Sequence, residues 1–287
     1  MSYNKIIIEK KIREFLEEDC NFVDISSICI PEDANTSAKI IAKCNGYISG
    51  LEEIKILFNI LNVSVELLKK DGEIFKKGEI LAKMNGYVRD ILMGERIGLN
   101  LLTHMSSITT TTHKYVEKIN KTGKTVKIAC TRKTLPGLRI FEKKAVSLAG
   151  ELADTHRFSL DDMILLKDTH LRYYNGDIKK LLKDVRNKAS FTKKIEIEIE
   201  NVDDVLIAAE NGADIIMLDN MTPDQVKNAV HLLKKNNLRE SVLIEVSGGI
   251  NLDNIVKYLN NDAPDIISSS ELTQFPSEHI DLSLRFD

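Results

Sequence analysis

The feature that most constrains the fold is a regular alternation of strand-like and helix-like segments along the second half of the chain. Short segments rich in β-branched residues alternate with amphipathic segments, with one strand and one helix roughly every 25 residues. This pattern predicts strands at 125–130, 163–167, 194–200, 214–219, 241–246 and 264–269, and helices at 138–149, 175–188, 202–211, 222–236 and 251–260. Repeated strand-helix units form parallel strands with right-handed crossovers, either as a barrel or as an open sheet.

The first hundred residues have a different pattern. Segments 5–20 and 51–61 are helix-like, and 36–92 contains short strands separated by turns. A long and mostly helical segment follows at 95–121, in spite of its run of threonines. We therefore expect a small α+β domain ahead of the strand-helix repeats.

Two Asn-Gly pairs, Asn45-Gly46 and Asn85-Gly86, lie in similar short segments of this first part. They predict turns, because both residue types tolerate a positive φ. The segment between them, 70–81, predicts two strands joined at Gly-containing turns and resembles the half-barrel of biotinyl and lipoyl carrier domains. Lys83 lacks the flanking methionines of a carrier lysine, so a structural half-barrel is the better interpretation.

Composition excludes several classes of function. A chain of 287 residues can bury a large core, and its net charge of −3 with no sustained basic stripe argues against a nucleic-acid-binding protein. The four cysteines, Cys20, Cys29, Cys44 and Cys130, are scattered and form no CxxC pair. A zinc site or a disulfide framework is therefore not expected, and a reducing cytoplasm fits best. The sequence shows neither a signal peptide nor a membrane span.

Polar residues fall at or near the carboxyl ends of successive predicted strands: Arg132 and Lys133, Lys167, Glu198, Asp219, and Ser247-Gly248-Gly249. A helix cap or a solvated loop charge would explain any one of them. Five in succession favour a barrel, because the carboxyl ends of all strands meet at one mouth where ligands bind.

The residues of this mouth fall into a cationic group and an acidic group. Arg132, Lys133, His156, Arg157 and Lys167 suit a polyanion, since arginine binds carboxylate or phosphate through two hydrogen bonds. His156 is either a buried, satisfied histidine or a further donor to the same anion.

The acidic residues Glu198 and Asp219 suit a metal ion or a pair of ribose hydroxyls. Ser247-Gly248-Gly249, predicted to open a helix, offers backbone N–H groups to a phosphate. A phosphate, a sugar and a carboxylated ring would together engage every group of the mouth.

Several motifs, in their order and spacing, resemble the quinolinate phosphoribosyltransferase family, also called nicotinate-nucleotide pyrophosphorylase (carboxylating). The most specific is Thr131-Arg132-Lys133-Thr134-Leu135-Pro136-Gly137-Leu138-Arg139. The others are Glu95-Arg96, Leu99-Asn100, His156-Arg157, Leu166-Lys167-Asp168-Thr169-His170, Glu196-Ile197-Glu198, Met217-Leu218-Asp219-Asn220 and Ser247-Gly248-Gly249-Ile250. The resemblance extends from about residue 15 to the end of the sequence.

The resemblance implies an α/β fold in which an open, TIM-like α/β barrel carries a smaller N-terminal α/β sandwich domain. The expected domains are residues 1–100, joined by 271–287, and a catalytic barrel at 101–270. The implied assembly is a homodimer or higher homo-oligomer with shared active sites, in which Arg96 reaches into the neighbouring site. The expected location is the cytoplasm, with neither nucleic acid nor membrane as partner.

The implied reaction belongs to NAD biosynthesis: quinolinate and phosphoribosyl pyrophosphate give nicotinate mononucleotide, pyrophosphate and CO2, with Mg²⁺ as cofactor. The implied catalytic residues are Lys133, Lys167, Glu198 and Asp219, of which Glu198 and Asp219 would also hold the metal directly or indirectly. The implied substrate-binding residues are Arg96, Arg132, Lys133, His156, Arg157, Lys167, His170, Ser247, Gly248, Gly249 and Ser270.

Two of the departures from the family pattern concern the loops expected to bind substrate. The loop from Gly150 to Thr155 is longer and contains fewer glycines than usual, and Ser270-Glu271 replaces Gly-Ala in a turn expected to hold the 5′-phosphate. Glu271 would repel a phosphate if it faced the mouth. Two alternatives therefore stay open: a homologue that transfers phosphoribose to another acidic ring, as in the type associated with molybdate transport, and a non-catalytic carboxylate-binding protein.

Overall fold

The computed structural model describes residues 3–260 and 262–287. The described α-helices are α1 Lys5–Asp19, α2 Leu51–Ile60, α3 Val88–Asn120, α4 Arg139–Ser147, α5 Asp168–Tyr173, α6 Ile178–Lys188, α7 Asp204–Glu210 and α8 Pro223–Lys235. The described strands are β1 Asn35–Ala42, β2 Gly46–Tyr47, β3 Ser64–Leu67, β4 Ile74–Phe75, β5 Ile80–Tyr87, β6 Lys127–Cys130, β7 Ala153–Asp154, β8 Ile164–Leu166, β9 Ile195–Ile199, β10 Ile215–Asp219, β11 Leu243–Ser247, β12 Ile266–Ser269 and β13 Leu282–Phe286.

These elements form two compact units. The first contains the residues up to His113 together with Thr134–Gly150 and Leu272–Asp287, and the second contains Lys114–Lys133 and Glu151–Glu271. Helix α3 contributes residues to both. The segments 101–113 and 134–150 thus belong to the first unit, whereas the sequence assigned them to the barrel. Because a compact unit is not the same as a domain, the boundary near residue 100 stays a prediction.

The first unit is built on an antiparallel sheet in the order β13-β1-β5-β3. Strand β1 pairs with β13 on one side and with β5 on the other. Alternate residues of β1, including Ala38 and Ile40, are buried, as are the apolar residues Ile54, Leu57 and Phe58 of α2. The period-2 pattern of the strand and the helical spacing therefore supply two apolar faces of one core.

The two Asn-Gly pairs do not form the predicted turns. Asn85-Gly86 lies within β5, and Gly46 begins β2; none of these four residues has a positive φ. A Cβ on Gly86 would lie 3.0 Å from Cγ2 of Val63, and one on Gly46 would lie 2.5 Å from Cδ1 of Ile280. Glycine is used here for close packing between elements.

The glycine turns of this region are instead at Gly72 and Gly78, each with a φ of 90°. They flank the short strand β4, which confirms the prediction of strands joined at Gly-containing turns between residues 70 and 81.

Helix α3 extends through the run Thr109–Thr112, although β-branched residues have low helix propensity. All four threonines are buried, and their hydroxyls form hydrogen bonds. Thr109 donates to the Ala145 carbonyl at 2.8 Å, and Thr112 donates to the Ile108 carbonyl at 2.8 Å. Packing and hydrogen bonding therefore outweigh propensity in this segment.

The second unit is a curled, seven-stranded parallel sheet in the order β7-β6-β12-β11-β10-β9-β8. This half-barrel confirms the predicted open α/β barrel and the expected α/β class. Residues such as Ile197, Ile216 and Ile244 are fully buried at alternate positions of the central strands. The intervening positions carry Glu196 and Glu245, which are also fully buried. The sheet thus has one apolar face and one face that carries charged residues.

Three details of the second unit differ from the sequence prediction. The short strand β7 was not predicted. The predicted helix at 175–188 begins only at Ile178, as α6, because Asn175 and Gly176 have positive φ values of 52° and 82°, and the short helix α5 before them was not predicted. The predicted helix at 251–260 contains only the 3-10 turn Ile255–Tyr258. Among the described residues, no helix has both the length and the apolar character needed to cross a bilayer.

Candidate active site

A cavity of about 540 Å³ lies at the carboxyl ends of the strands in the second unit. The predicted site residues that line it are Arg132, Lys133, His156, Arg157, Lys167, Glu198, Asp219 and Ser247. Polar residues that the sequence analysis did not assign to the site also line it: Thr131, Asp168, Glu200, Asn220, Glu245 and Ser268. The cavity therefore gathers eight of the predicted residues in one place.

The sheet order separates the charged groups of this cavity. Arg132 follows β6 and Arg157 follows β7, at one edge of the sheet, whereas Glu198 and Asp219 lie on β9 and β10. Lys167 follows β8 at the opposite edge and is adjacent to Glu198. A ligand with an anionic end and a polyhydroxyl part matches this arrangement.

Two guanidinium groups form the cationic part of the cavity. Arg157 is buried, and its Nη1 donates to the Met163 carbonyl at 3.1 Å. Burial lowers the pKa of Arg157, and the nearby charge of Arg132 lowers it further. Two like charges held close together in a cavity favour the binding of an anion, which relieves their repulsion.

Lys167 and Glu198 form an ion pair across neighbouring strands. The Nζ of Lys167 lies 2.8 Å from Oε1 of Glu198, and the other carboxylate oxygen accepts a hydrogen bond from the backbone N–H of Asp168 at 3.3 Å. The lysine side chain is 48% exposed, so the pair contributes little to stability. The Lys167 amine can therefore leave Glu198 and pair with an anionic substrate group at a small cost in free energy.

Asp219 completes the acidic part. Burial raises the pKa of Asp219, and the negative charges of Glu198 and Glu200 raise it further. The Asp219 carboxylate accepts a hydrogen bond from the side-chain amide of Asn220 at 2.8 Å. Glu198 and Glu200 thus add negative charge around Asp219, and a bound cation would relieve their repulsion.

His156 lies between two fully buried glutamates. Its Nε2 lies 3.0 Å from Glu245 and 3.4 Å from Glu196, and its backbone N–H donates to Asp154 at 2.7 Å. Burial alone would lower the pKa of His156, but the hydrogen bonds to Glu196 and Glu245 outweigh burial and raise it to about 10. The imidazole is therefore a cation at neutral pH. The first alternative from the sequence holds in part, because the side chain is paired but, at 12% exposed, is not fully buried, and donation to a bound anion stays a prediction.

The sequence analysis did not include Glu196 and Glu245 among the site residues. Their ligand atoms and those of His156 lie within 4.8 Å of one another, a spacing compatible with a metal ion. We interpret the group as an ion-paired triad, because the two carboxylates hold the imidazole in its protonated form. The sequence does place Glu196 on the same strand face as Glu198, and Glu245 on the same face as Ser247 of β11, but it gives no sign that either glutamate pairs with His156.

The Ser247-Gly248-Gly249 segment forms a turn and does not open an α-helix, so the predicted helix N-terminus is wrong. Gly248 and Gly249 have positive φ values of 91° and 64°. A Cβ on Gly248 would lie 2.3 Å from Oδ1 of Asn220. The turn after β11 is therefore packed directly on the turn after β10, and only glycine fits at the contact.

Other predicted site residues lie outside the lining of this cavity. His170 accepts a hydrogen bond from the Lys167 backbone N–H at its Nδ1, at 2.9 Å, and thereby caps helix α5. Gly248, Gly249 and Ser270 belong to the turns that follow β11 and β12. Arg96 is part of the first unit, where it lines a separate cavity of about 300 Å³ with residues that include Glu18, Asp19 and His104. The roles of all these residues stay predictions.

The sequence and the fold both match known proteins. A family model described as "Quinolinate phosphoribosyl transferase, N-terminal domain" matches residues 24–106, and one for the C-terminal domain of the same enzyme matches residues 108–285. The chain is 43% identical over 251 residues to the "probable nicotinate-nucleotide pyrophosphorylase (carboxylating)" of Archaeoglobus fulgidus, covering 88% of this chain and 94% of that protein. It is 39% identical to the nicotinate-nucleotide pyrophosphorylase (carboxylating) of Dictyostelium discoideum, covering 98% of this chain and 96% of that protein.

Solved structures agree with the sequence matches. The structure of the nicotinate-nucleotide pyrophosphorylase from Francisella tularensis superposes with a TM-score of 0.88 at 31% identity, covering 100% of this chain and 98% of that chain. A NadC structure from Streptococcus pyogenes gives a TM-score of 0.89 at 32% identity, with 100% and 99% of the two chains covered.

Proposed function

The chain belongs to the quinolinate phosphoribosyltransferase family, and we propose that the cavity at the carboxyl ends of its parallel strands is the active site. The protein is accordingly a carboxylating nicotinate-nucleotide pyrophosphorylase, a phosphoribosyltransferase of NAD biosynthesis that acts on quinolinate. The sequence-based assignments of family and activity are confirmed by the full-length relatives.

The observation that carries the site assignment is the division of one cavity into a cationic and an acidic part. Arg132 and Arg157 would bind the two ring carboxylates of quinolinate through paired hydrogen bonds. His156, held as a cation by its two glutamates, would add a third charged donor. Arg96 of the partner subunit is proposed to complete this cluster.

The acidic part is proposed to hold the phosphoribosyl donor. Glu198 and Asp219 would accept hydrogen bonds from the ribose hydroxyls and stabilise the positive charge that develops on the ribose as pyrophosphate leaves. The turns that contain Ser247, Gly248, Gly249 and Ser270 would donate to the 5′-phosphate.

We propose that the acidic part also serves a magnesium ion. Glu198 and Asp219 would offer carboxylate oxygens, the ligands that magnesium prefers, and the negative charges of Glu198 and Glu200 beside Asp219 favour a cation. Magnesium would supply charge balance for the pyrophosphate group. Glu198 and Asp219 would hold the ion directly or through the donor.

The proposed reaction needs no protein nucleophile. The pyridine nitrogen attacks C1 of the ribose while the bond to pyrophosphate breaks and its electron pair leaves with the phosphate oxygen. The C2–carboxylate bond then breaks, CO2 departs, and C2 takes up a proton. Lys133 and Lys167 would lie near the ring and stabilise the developing negative charge, so positioning and electrostatics account for the rate.

One experiment tests this function and its alternatives. The purified protein is incubated with phosphoribosyl pyrophosphate, magnesium and either quinolinate or nicotinate. Nicotinate mononucleotide, pyrophosphate and CO2 should form in equal amounts from quinolinate alone. Transfer to another acidic ring in preference to quinolinate would favour the divergent homologue, and failure to bind the donor would favour a carboxylate-binding protein.

The assembly is proposed to be a homodimer or higher homo-oligomer in the cytoplasm. The first unit exposes several large apolar side chains close together in sequence: Phe22 at 100%, Ile25 at 73%, Ile28 at 64% and Val23 at 62%. Burial of such residues between subunits would be favourable. The four cysteines are free thiols, as the cytoplasm would keep them.

A further inference from the structure

The turn after β12 is connected to helix α3 by a buried tyrosine that the reaction described above does not use. The hydroxyl of Tyr115 donates a hydrogen bond to Oε2 of Glu271, and the tyrosine side chain has no exposed surface. Burial raises the pKa of Tyr115, and the hydrogen bond to Glu271 raises it further, so the hydroxyl keeps its proton and remains a donor. Glu271 is thus held against the helix.

From Glu271 the hydrogen bonds continue to the other turn. The backbone N–H of Glu271 donates to Oγ of Ser269 at 3.2 Å, and that hydroxyl donates to the Ile250 carbonyl at 2.8 Å. Ile250 directly follows Gly249. One chain of hydrogen bonds therefore joins helix α3, the turn after β12 and the turn after β11.

The same face of α3 forms a second connection. Lys118 lies three residues after Tyr115, and its Nζ donates to the Leu252 carbonyl. Residues three apart on a helix lie on one face. Tyr115 and Lys118 therefore contact both turns from a single face of the long helix α3.

We propose that Tyr115, Glu271 and Ser269 form a latch that positions the two turns for the 5′-phosphate of the phosphoribosyl donor. The proposal rests on the proposed function, because that function assigns the phosphate to these turns. It makes Tyr115, Glu271 and Ser269 positioning residues. It also gives the Ser270-Glu271 departure from the family pattern a physical role, since Glu271 is an acceptor for Tyr115 where alanine would offer none.

The latch hypothesis and the hypothesis that Glu271 repels the phosphate predict opposite effects of substituting Glu271 on donor binding. If Glu271 repelled the phosphate, Glu271→Ala and Glu271→Gln would both tighten donor binding, because both remove the charge. If Glu271 is an acceptor in the latch, Glu271→Ala weakens donor binding, whereas Glu271→Gln keeps an acceptor oxygen and stays close to wild type. Tyr115→Phe, which removes only the hydroxyl, should behave like Glu271→Ala.

The kinetic test measures KM for phosphoribosyl pyrophosphate, kcat, and quinolinate affinity by calorimetry. We expect Tyr115→Phe and Glu271→Ala to raise the donor KM about fivefold, the effect of losing one buried hydrogen bond, with kcat and quinolinate affinity near wild type. Tyr174→Phe is the matched control, because Tyr174 donates to Asp184 at 3.2 Å elsewhere in the same unit. An unchanged donor KM in both latch variants, or tighter binding in both Glu271 variants, would overturn the proposal.

A second measurement does not depend on turnover. Hydrogen exchange of the backbone amides in 248–252 and 269–271 should be faster in Tyr115→Phe and Glu271→Ala than in wild type, and unchanged in Glu271→Gln and Tyr174→Phe. Unchanged exchange in the latch variants overturns the latch even if the enzyme is active. If the wild-type protein lacks transferase activity but the latch variants still exchange faster than it does, the proposed function is overturned and the positioning of the turns stays established.

Discussion

His156 has a backbone conformation that few histidines adopt. Its φ of 50° lies in the left-handed region, which costs a non-glycine residue free energy. The bond from its backbone N–H to Asp154 and the ion pairs of its ring to Glu196 and Glu245 hold it there. The strain thus falls on a residue that belongs to the triad and also lines the cavity.

The free energy of unfolding should depend on pH because His156 of this triad loses its proton as the pH rises. The pKa of His156 is about 10 in the folded state and 6.5 without its surroundings. Its contribution is therefore fully present below pH 6.5 and is lost as the pH rises through 10. We expect the free energy of unfolding to fall by on the order of 2–4 kcal/mol across this window.

The variant Glu245→Gln, compared with wild type between pH 6.5 and 10, tests whether Glu245 holds the proton on His156. It should lower the pKa of His156, as seen in imidazole NMR shifts, make the loss of stability between pH 6.5 and 10 shallower, and weaken quinolinate binding. A His156 ring that titrates alike in both proteins would contradict the assignment of the triad.

Quinolinate should bind far more tightly than nicotinate. Nicotinate lacks one carboxylate, so part of the cluster formed by Arg132 and Arg157 would lose a partner, at about 1.5–3 kcal/mol per charged hydrogen bond. Calorimetric titration of each acid measures the difference. In Arg132→Gln the preference for quinolinate over nicotinate should be smaller. Equal affinities of the wild type for the two acids would contradict the proposal that the cluster binds a dicarboxylate.

At the scale of elements, the turn after β11 contains two adjacent glycines that are needed for different reasons. A Cβ on Gly248 would collide with Asn220, whereas a Cβ on Gly249 would meet no atom within 4 Å. Both have positive φ, so alanine at either position costs about 1 kcal/mol from the backbone alone.

Gly248→Ala should therefore be much more damaging than Gly249→Ala. The first must displace the Asn220 turn as well as strain the backbone, and we expect donor affinity to fall by at least about tenfold more than in Gly249→Ala. Donor binding by calorimetry and thermal unfolding of both variants measure this. Equal losses would show that the contact with Asn220 does not shape the turn.

The elements that the sequence predicted well are those with strong periodicity. The alternating Glu196, Glu198 and neighbouring isoleucines gave β9, and the six main parallel strands were located to within a few residues. The Asn85-Gly86 turn was wrong because the packing of Gly86 against Val63 is a tertiary requirement that no local pattern reveals.

In the candidate site, too, the features set by local sequence were predictable, and those set by tertiary contacts were not. Cations and carboxylates at strand ends were predictable, because parallel strands bring their carboxyl ends together. The partnership of His156 with Glu196 and Glu245 was not, since it joins residues far apart in sequence. Tyr115 was missed for the same reason, as its partner lies 156 residues away.

At the scale of the whole molecule, Arg96 is expected to act in the active site of the partner subunit. Arg96→Ala and Lys167→Ala proteins should each be inactive. Mixed dimers should recover activity, at most about a quarter of the wild-type value in a random mixture, because one site of a mixed dimer carries both wild-type groups. Refolded mixtures with verified subunit exchange measure this, and persistent inactivity would refute the shared site.

The position of β13 has a consequence for how the protein is made. The antiparallel sheet of the first unit is completed by residues 282–286, which follow the whole of the second unit in sequence. A chain emerging from the ribosome therefore carries β1 with one unpaired edge until translation has passed the second unit. Unpaired edges recruit other strands, so this edge is a place where a nascent chain would need a chaperone.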